Sequence, residues 1–146
     1  MKNFLYTFLL VSSALFLGAC TKDEDTTPPT IEIQKPVENE VVFTGSILKM
    51  KFRFTDEYGV QKYKYEIFPE ATESLIGDFL YENEVFIPTV YTELVFDHSV
   101  KIPLEISNSV LTTTGNYILR VTATDIYGNA NVENRIFKVV VAQTEE

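Results

Sequence analysis

Polar and apolar residues alternate with a period of two along most of the chain, the spacing that places every second side chain on one face of an extended strand. The clearest run is Leu48-Lys49-Met50-Lys51-Phe52-Arg53-Phe54, with Leu48, Met50, Phe52 and Phe54 directed to a core and the three cations to water. Gln61 to Phe68 repeats the pattern: Tyr63, Tyr65 and Ile67 oppose Lys62, Lys64 and Glu66. Leu94, Phe96, His98, Val100, Ile102, Leu104 and Ile106 share one parity, a run long enough that Pro103 is expected to bend or end it. Tyr117, Leu119, Val121 and Ala123 form the inward face of the next strand. Phe137, Val139 and Val141 form that of a last strand from about Val132 to Val141. Thr55 to Gly59 and Asp125 to Asn129 read as turns. No convincing helical periodicity occurs; Thr72 to Leu80 has room for one short helical turn. Six or seven strands over residues 31–142 predict an all-β fold, an antiparallel β-sandwich of about seven strands. Gly115-Asn116-Tyr117 fits a tyrosine corner, whose hydroxyl ties the chain back to its own backbone.

The alternation is absent from the first thirty residues, where two other compositions replace it. Lys2 precedes an apolar stretch from Phe4 to Leu17 that is shorter than the roughly 20 residues needed to cross a bilayer. It has the form of a secretory signal, here residues 1–19. Its end, Leu17-Gly18-Ala19-Cys20, matches a bacterial lipobox: a branched apolar residue, two small residues and a cysteine. The expected processing is cleavage between Ala19 and Cys20, with the Cys20 sulfur carrying a diacylglyceryl group and the new amine acylated, commonly with palmitate. Two or more acyl chains anchor a protein stably, whereas one does so marginally. Residues 20–30 then form a flexible tether, because Thr21 to Pro29 contains no apolar side chain apart from proline. Lys22-Asp23-Glu24 resembles the acidic surface-export signal of Bacteroidota lipoproteins. The expected location is the outer membrane, lipid-anchored and surface-exposed, with a periplasm-facing domain as the alternative. Residues 143–146 are expected to be a disordered tail.

Charge and composition narrow the chemistry. Twelve Lys and Arg face 21 Asp and Glu, a formal net charge of -9 over 146 residues. That argues against nucleic-acid binding, which needs a basic surface. One Cys excludes an intrachain disulfide and a Cys-based zinc cage, and one His excludes multi-histidine metal sites. A nucleophilic triad would have to use His98, yet no Gly-x-Ser-x-Gly elbow is present and His98 shares the parity of core residues. A partly buried strand histidine with a hydrogen-bond partner is the expected role. No catalytic residue is assigned, no cofactor beyond the lipid is required, and the chain is read as a non-enzyme.

Calcium is the metal that the acidic turns would suit, since it takes six to eight oxygen ligands. Asp56, Glu57, Asp125 and Asn129 sit in two turns able to meet at one pole of a sandwich. No Asp-x-Asp-x-Asp-Gly loop is present, so turn capping is the favoured role, with Asp56 and Asp125 as calcium candidates. Ala71 to Tyr91 is too long for a hairpin loop and too apolar for a solvated one. It is read first as an extra edge strand or helical turn. Its functional reading is an exposed aromatic surface of Phe79, Tyr81, Phe86 and Tyr91 for a glycan or protein partner.

Thr26-Thr27-Pro28-Pro29-Thr30-Ile31 resembles the opening of bacterial immunoglobulin-like modules, and Phe54 to Val60 (FTDEYGV) resembles their second turn. Gly115 to Asp125 (GNYILRVTATD), followed by Tyr127-Gly128-Asn129, resembles their closing strand and turn. Over about residues 26–142 the order and spacing are most similar to an uncharacterised family of Bacteroidota lipoproteins, domain of unknown function 4625. The resemblance implies an immunoglobulin-like sandwich and an envelope location, and no activity. Members tend to carry a His- and Asp-rich central stretch; here that region holds His98 alone. The expected function is a non-catalytic binding or adhesion module, with a structural accessory subunit of an outer-membrane or uptake assembly as the alternative. Replacing the nucleophilic sulfur tests the anchor: C20A is expected to stay unprocessed or to move from the detergent phase to the aqueous phase on partitioning.

Overall fold

The computed structural model describes residues 25–71 and 75–142. The expected signal segment with Ala19, the lipidation residue Cys20, the first half of the tether and the tail lie outside the described residues.

The period-two segments form strands and stack as two sheets. One sheet holds β1 (Thr30–Lys35), β3 (Ile47–Thr55) and β6 (Glu93–Lys101) in the order β1-β3-β6, all antiparallel. The other holds β2 (Glu40–Phe43), β4 (Val60–Pro69), β5 (Tyr81–Phe86), β9 (Gly115–Asp125) and β10 (Ala130–Val140), in the order β2-β10-β9-β4-β5. All pairs here are antiparallel except β2 with β10, which run parallel. A small pair, β7 (Glu105–Ser107) with β8 (Val110–Leu111), lies at one end. The sandwich therefore has eight strands in two sheets, and the long 71–91 segment contributes one of them, β5, as an edge strand. The described part of Thr72 to Leu80 contains a turn closed by Asp78 N–H donating to the Leu75 carbonyl, and no helix.

The inward faces meet as the alternation requires. Leu48, Met50, Phe52 and Phe54 of β3 pack against Tyr63, Tyr65 and Ile67 of β4 and Leu119, Val121 and Ala123 of β9, all buried. The layers interlock through rings: Phe54 to Tyr63 at 4.9 Å, Tyr63 to Phe96 at 4.8 Å and Phe52 to Tyr65 at 5.6 Å between centroids. Aromatic pairs at such spacings add roughly 0.5–1.5 kcal/mol each beyond the area that they bury. The tyrosine corner is formed: the Tyr117 hydroxyl donates to the Thr113 carbonyl at 2.9 Å and accepts from Phe79 N–H at 3.3 Å.

Pro103 ends the run from Leu94 as expected, and one expectation of inward parity, Val141, requires correction. The run from Leu94 holds only to Ile102, which is fully buried. Pro103 breaks it, having no N–H for the ladder. Leu104 and Ile106 beyond it are exposed, and so is Val141, which lies past the end of β10.

His98 takes its expected place on β6, with its Nε2 2.6 Å from the Tyr63 hydroxyl and its ring 4.9 Å from that of Tyr65. Burial pushes Tyr63 up. Burial also holds His98 below its ordinary value, against the opposite pull of Asp97. The unfolded chain therefore binds the imidazole proton more readily than the folded one. Stability from this group is complete above the unfolded pKa of about 6.5 and falls as pH drops below it. H98F is expected to shrink the loss of unfolding free energy between pH 7 and pH 5, measured by urea titration. An undiminished loss would exclude this role for His98.

Candidate functional site

One pole of the sandwich collects the start of β1, the β3–β4 turn, the 87–92 connection and the β9–β10 turn. Each acidic turn is built by its aspartate. Asp56 Oδ1 accepts from the N–H groups of Tyr58 at 2.9 Å and Gly59 at 2.6 Å. Gly59 has φ +103, and a Cβ there would collide with Val90 Cγ1, so only glycine suits the position. Across the pole, Asp125 Oδ1 accepts from Tyr127 N–H and Asn129 N–H, both at 2.8 Å, and Oδ2 accepts from Asn129 Nδ2 at 2.8 Å. Asp125 has no solvent exposure. Burial by itself would raise its pKa. Hydrogen bonds from the Asn129 side chain and from the backbone of Asn129, Tyr127 and Gly128 outweigh that and hold the carboxyl below its usual range. Ile126 N–H donates to the Gly59 carbonyl at 3.2 Å and joins the two turns.

The third participant comes from the tether. Asn129 Nδ2 also donates to the Asp25 carbonyl at 2.9 Å, and Asn131 Nδ2 donates to the Pro29 carbonyl at 2.9 Å. Pro29 is buried. Residues 25–29, expected to be part of a flexible tether, are thus docked on the domain. Asp25 Oδ1 accepts from Thr27 N–H at 2.9 Å. One carboxylate oxygen from each of Asp25, Asp56 and Asp125 lies within 4.8 Å of the others. Beside them a hollow of about 320 Å³ opens to solvent, lined by Asp25, Thr27, Thr30, Asp56, Glu57 and Thr92 among others. Tyr58 and Tyr127, one from each turn, meet edge to face at 5.4 Å.

The calcium candidates Asp56 and Asp125 are therefore brought together, and Asn129 with them as an amide donor. Glu57 lines the hollow without joining the cluster. Asp25 carries no sequence signal, because nothing in a charged, patternless segment distinguishes one aspartate that will dock. The aromatic surface does not assemble as expected. Phe79 is buried in the core, a correction to its reading as ligand surface: it packs beside Tyr81 and its N–H is held by Tyr117. Tyr81 is half-buried and stacked on Tyr65. Phe86 is exposed on the outer face of its sheet near Lys62, whose Nζ is 6.0 Å from the ring centroid. Tyr91 is exposed on the acidic pole, where its carbonyl accepts from Val60 N–H. The four residues therefore share no common surface.

Removing the Asp125 carboxylate leaves the partly buried N–H groups of Tyr127 and Asn129 without their acceptor. D125A is expected to cost about 3 kcal/mol of unfolding free energy in urea; a cost under about 0.5 kcal/mol would contradict its organising role.

The family model described as "Domain of unknown function (DUF4625)" matches residues 18–140. No curated protein matches the chain in sequence. Among solved structures, the chain is similar to fibronectin(III)-like modules of CbhA from Clostridium thermocellum, at 16% identity and TM-score 0.49. That match covers 82% of this chain and 50% of the other, so the chain spans half its length. It is also similar to murine CRIg, at 10% identity and TM-score 0.40 over 80% of this chain and 100% of that one. A chitin binding domain from Burkholderia pseudomallei matches at 14% identity and TM-score 0.35 over 72% and 57%.

Proposed function

The chain belongs to the DUF4625 family, and from that premise we propose that it is a non-catalytic binding module held at the outer membrane by a lipid on Cys20, taking a protein partner. The anchor rests on the Leu17 to Cys20 lipobox and the acidic Lys22-Asp23-Glu24 that follows it. Cys20 precedes Asp25 by five residues, a contour of at most about 18 Å. Asp25 is docked on the acidic pole, so a lipid on Cys20 holds that pole near the bilayer and turns the opposite pole away from it.

The observation that carries the reading is the chemistry of this far pole. Leu75, Ile76, Leu80, Leu104 and Leu111 are all more than half exposed there, Ile76 at 85%. Backbone bonds hold their segments side by side: Thr113 N–H donates to the Gly77 carbonyl and Thr112 N–H to the Leu104 carbonyl. A hollow of about 320 Å³ lined by Leu75, Asp78, Thr113 and Tyr117 adjoins them. Grouped exposed apolar side chains mark interaction sites. Aliphatic side chains favour a protein partner over a sugar, which stacks on aromatic faces. The exposed tyrosines Tyr58, Tyr91 and Tyr127 are at the other, anchored pole.

Protease shaving of intact cells, with lysed cells as control, is expected to remove the domain; protection until lysis supports a periplasm-facing accessory role instead. The L75D/I76D/L80D variant is expected to keep the wild-type melting temperature and to lose its crosslinked partners in intact cells. An unchanged crosslinking pattern would refute the far pole as the binding surface.

A further inference from the structure

We infer that Asp25, Asp56 and Asp125 together hold one divalent cation of the calcium type, which fastens the N-terminal tether to the pole of the sandwich. Calcium binds oxygens at roughly 2.3–2.6 Å, so ligand atoms around one ion stand up to about 5 Å apart. The three carboxylate oxygens, within 4.8 Å of one another, fit inside one such sphere. Carboxylates this close repel, and none of the ion pairs found among the described residues answers them: those pairs engage Glu32, Glu38, Glu66, Glu82, Glu84 and Glu93.

A second observation is independent of the clustering. Asp25 Oδ2 is closed off from solvent and accepts no hydrogen bond, while its partner oxygen is occupied by Thr27 N–H. A carboxylate oxygen stripped of water and given no donor is costly unless a cation sits beside it. Asp125 adds a fully buried carboxylate whose bonds to Tyr127 and Asn129 fix it in place, as ligands are fixed by their outer contacts. The adjoining hollow offers an entry path and room for waters to complete a sphere of six to eight oxygens.

The consequence is mechanical. Asp56 and Asp125 belong to the sandwich, whereas Asp25 belongs to the segment leading to Cys20. A shared ion sets the angle at which the tether leaves the domain. Extracellular modules bind calcium at about 0.1–1 mM, a range in which outside calcium keeps such a joint locked. Binding itself does not depend on lipidation of Cys20, so failure of the anchor reading leaves this site standing.

The test uses the full chain in detergent micelles, with terbium as probe, excited through tyrosine, and calcium as competitor. Saturable terbium emission displaced by calcium is expected, with affinity falling at least about tenfold in D25N and in D56N. Calcium at about 10 mM is expected to raise the melting temperature by about 5 °C over sodium chloride of equal ionic strength, and to do so less in D25N. Far-UV circular dichroism is expected to match the wild type for D25N, which is altered outside every strand; D56N supplies the second reading. Absence of saturable emission, an equal rise with sodium chloride, or wild-type behaviour of both variants would overturn the inference.

Discussion

A charged carboxylate with no access to water sits where the two longest strands turn, and one end of the molecule is arranged to answer it. An isolated buried carboxylate is prohibitively expensive, so Asp125 persists only because donors surround it. Those donors are the N–H groups of its own turn and the Asn129 amide, which fixes the β9–β10 connection. The same amide reaches the Asp25 carbonyl, and Ile126 N–H reaches the Gly59 carbonyl. Three segments separated by as much as 104 residues are thereby joined through one side chain and its immediate neighbours. The core between the sheets supplies most of the burial; this junction decides what the pole looks like.

The two ends of the sandwich differ in kind. One gathers carboxylates, threonines and tyrosines, the other a set of exposed aliphatics. Strands of 11 residues separate them by about 35 Å. On the proposed anchoring, a lipid attached through Asp25's segment would turn the acidic end to the membrane and let the aliphatic end project beyond it. A cation at the near end would then control posture, and the far end would carry recognition, so the two roles need not compete for one surface.

Much of this was legible in the sequence because period-two alternation is a direct consequence of the pleat. Leu48 to Phe54, Tyr63 to Ile67 and Tyr117 to Ala123 sit where their parity requires. The tyrosine corner followed from Tyr117 near a strand start, and the meeting of Asp56 and Asp125 from two turns of the same kind. Pro103 ended the run from Leu94 as expected, and Leu104 and Ile106 beyond it are exposed. What failed had no local signal. Phe79 lies in a segment without periodicity, and only the hydrogen bond from its N–H to Tyr117 and the packing against Tyr81 draw it inside. Asp25 docks through contacts to Asn129 and its neighbourhood, a pairing that no pattern within the tether announces. The short β2 escapes because a four-residue strand carries too few alternations to be read.

The central claim, that three aspartates from distant segments form one cation-dependent joint, is tested most directly by an amide chemical-shift titration of the full chain with calcium. The account predicts saturable movement of the Thr27, Tyr58, Gly59, Tyr127 and Asn129 amides at one common midpoint, with Gly77, Thr112 and Thr113 at the far pole unmoved. Shifts that grow without saturation, or that centre elsewhere and leave Thr27 in place, would contradict it.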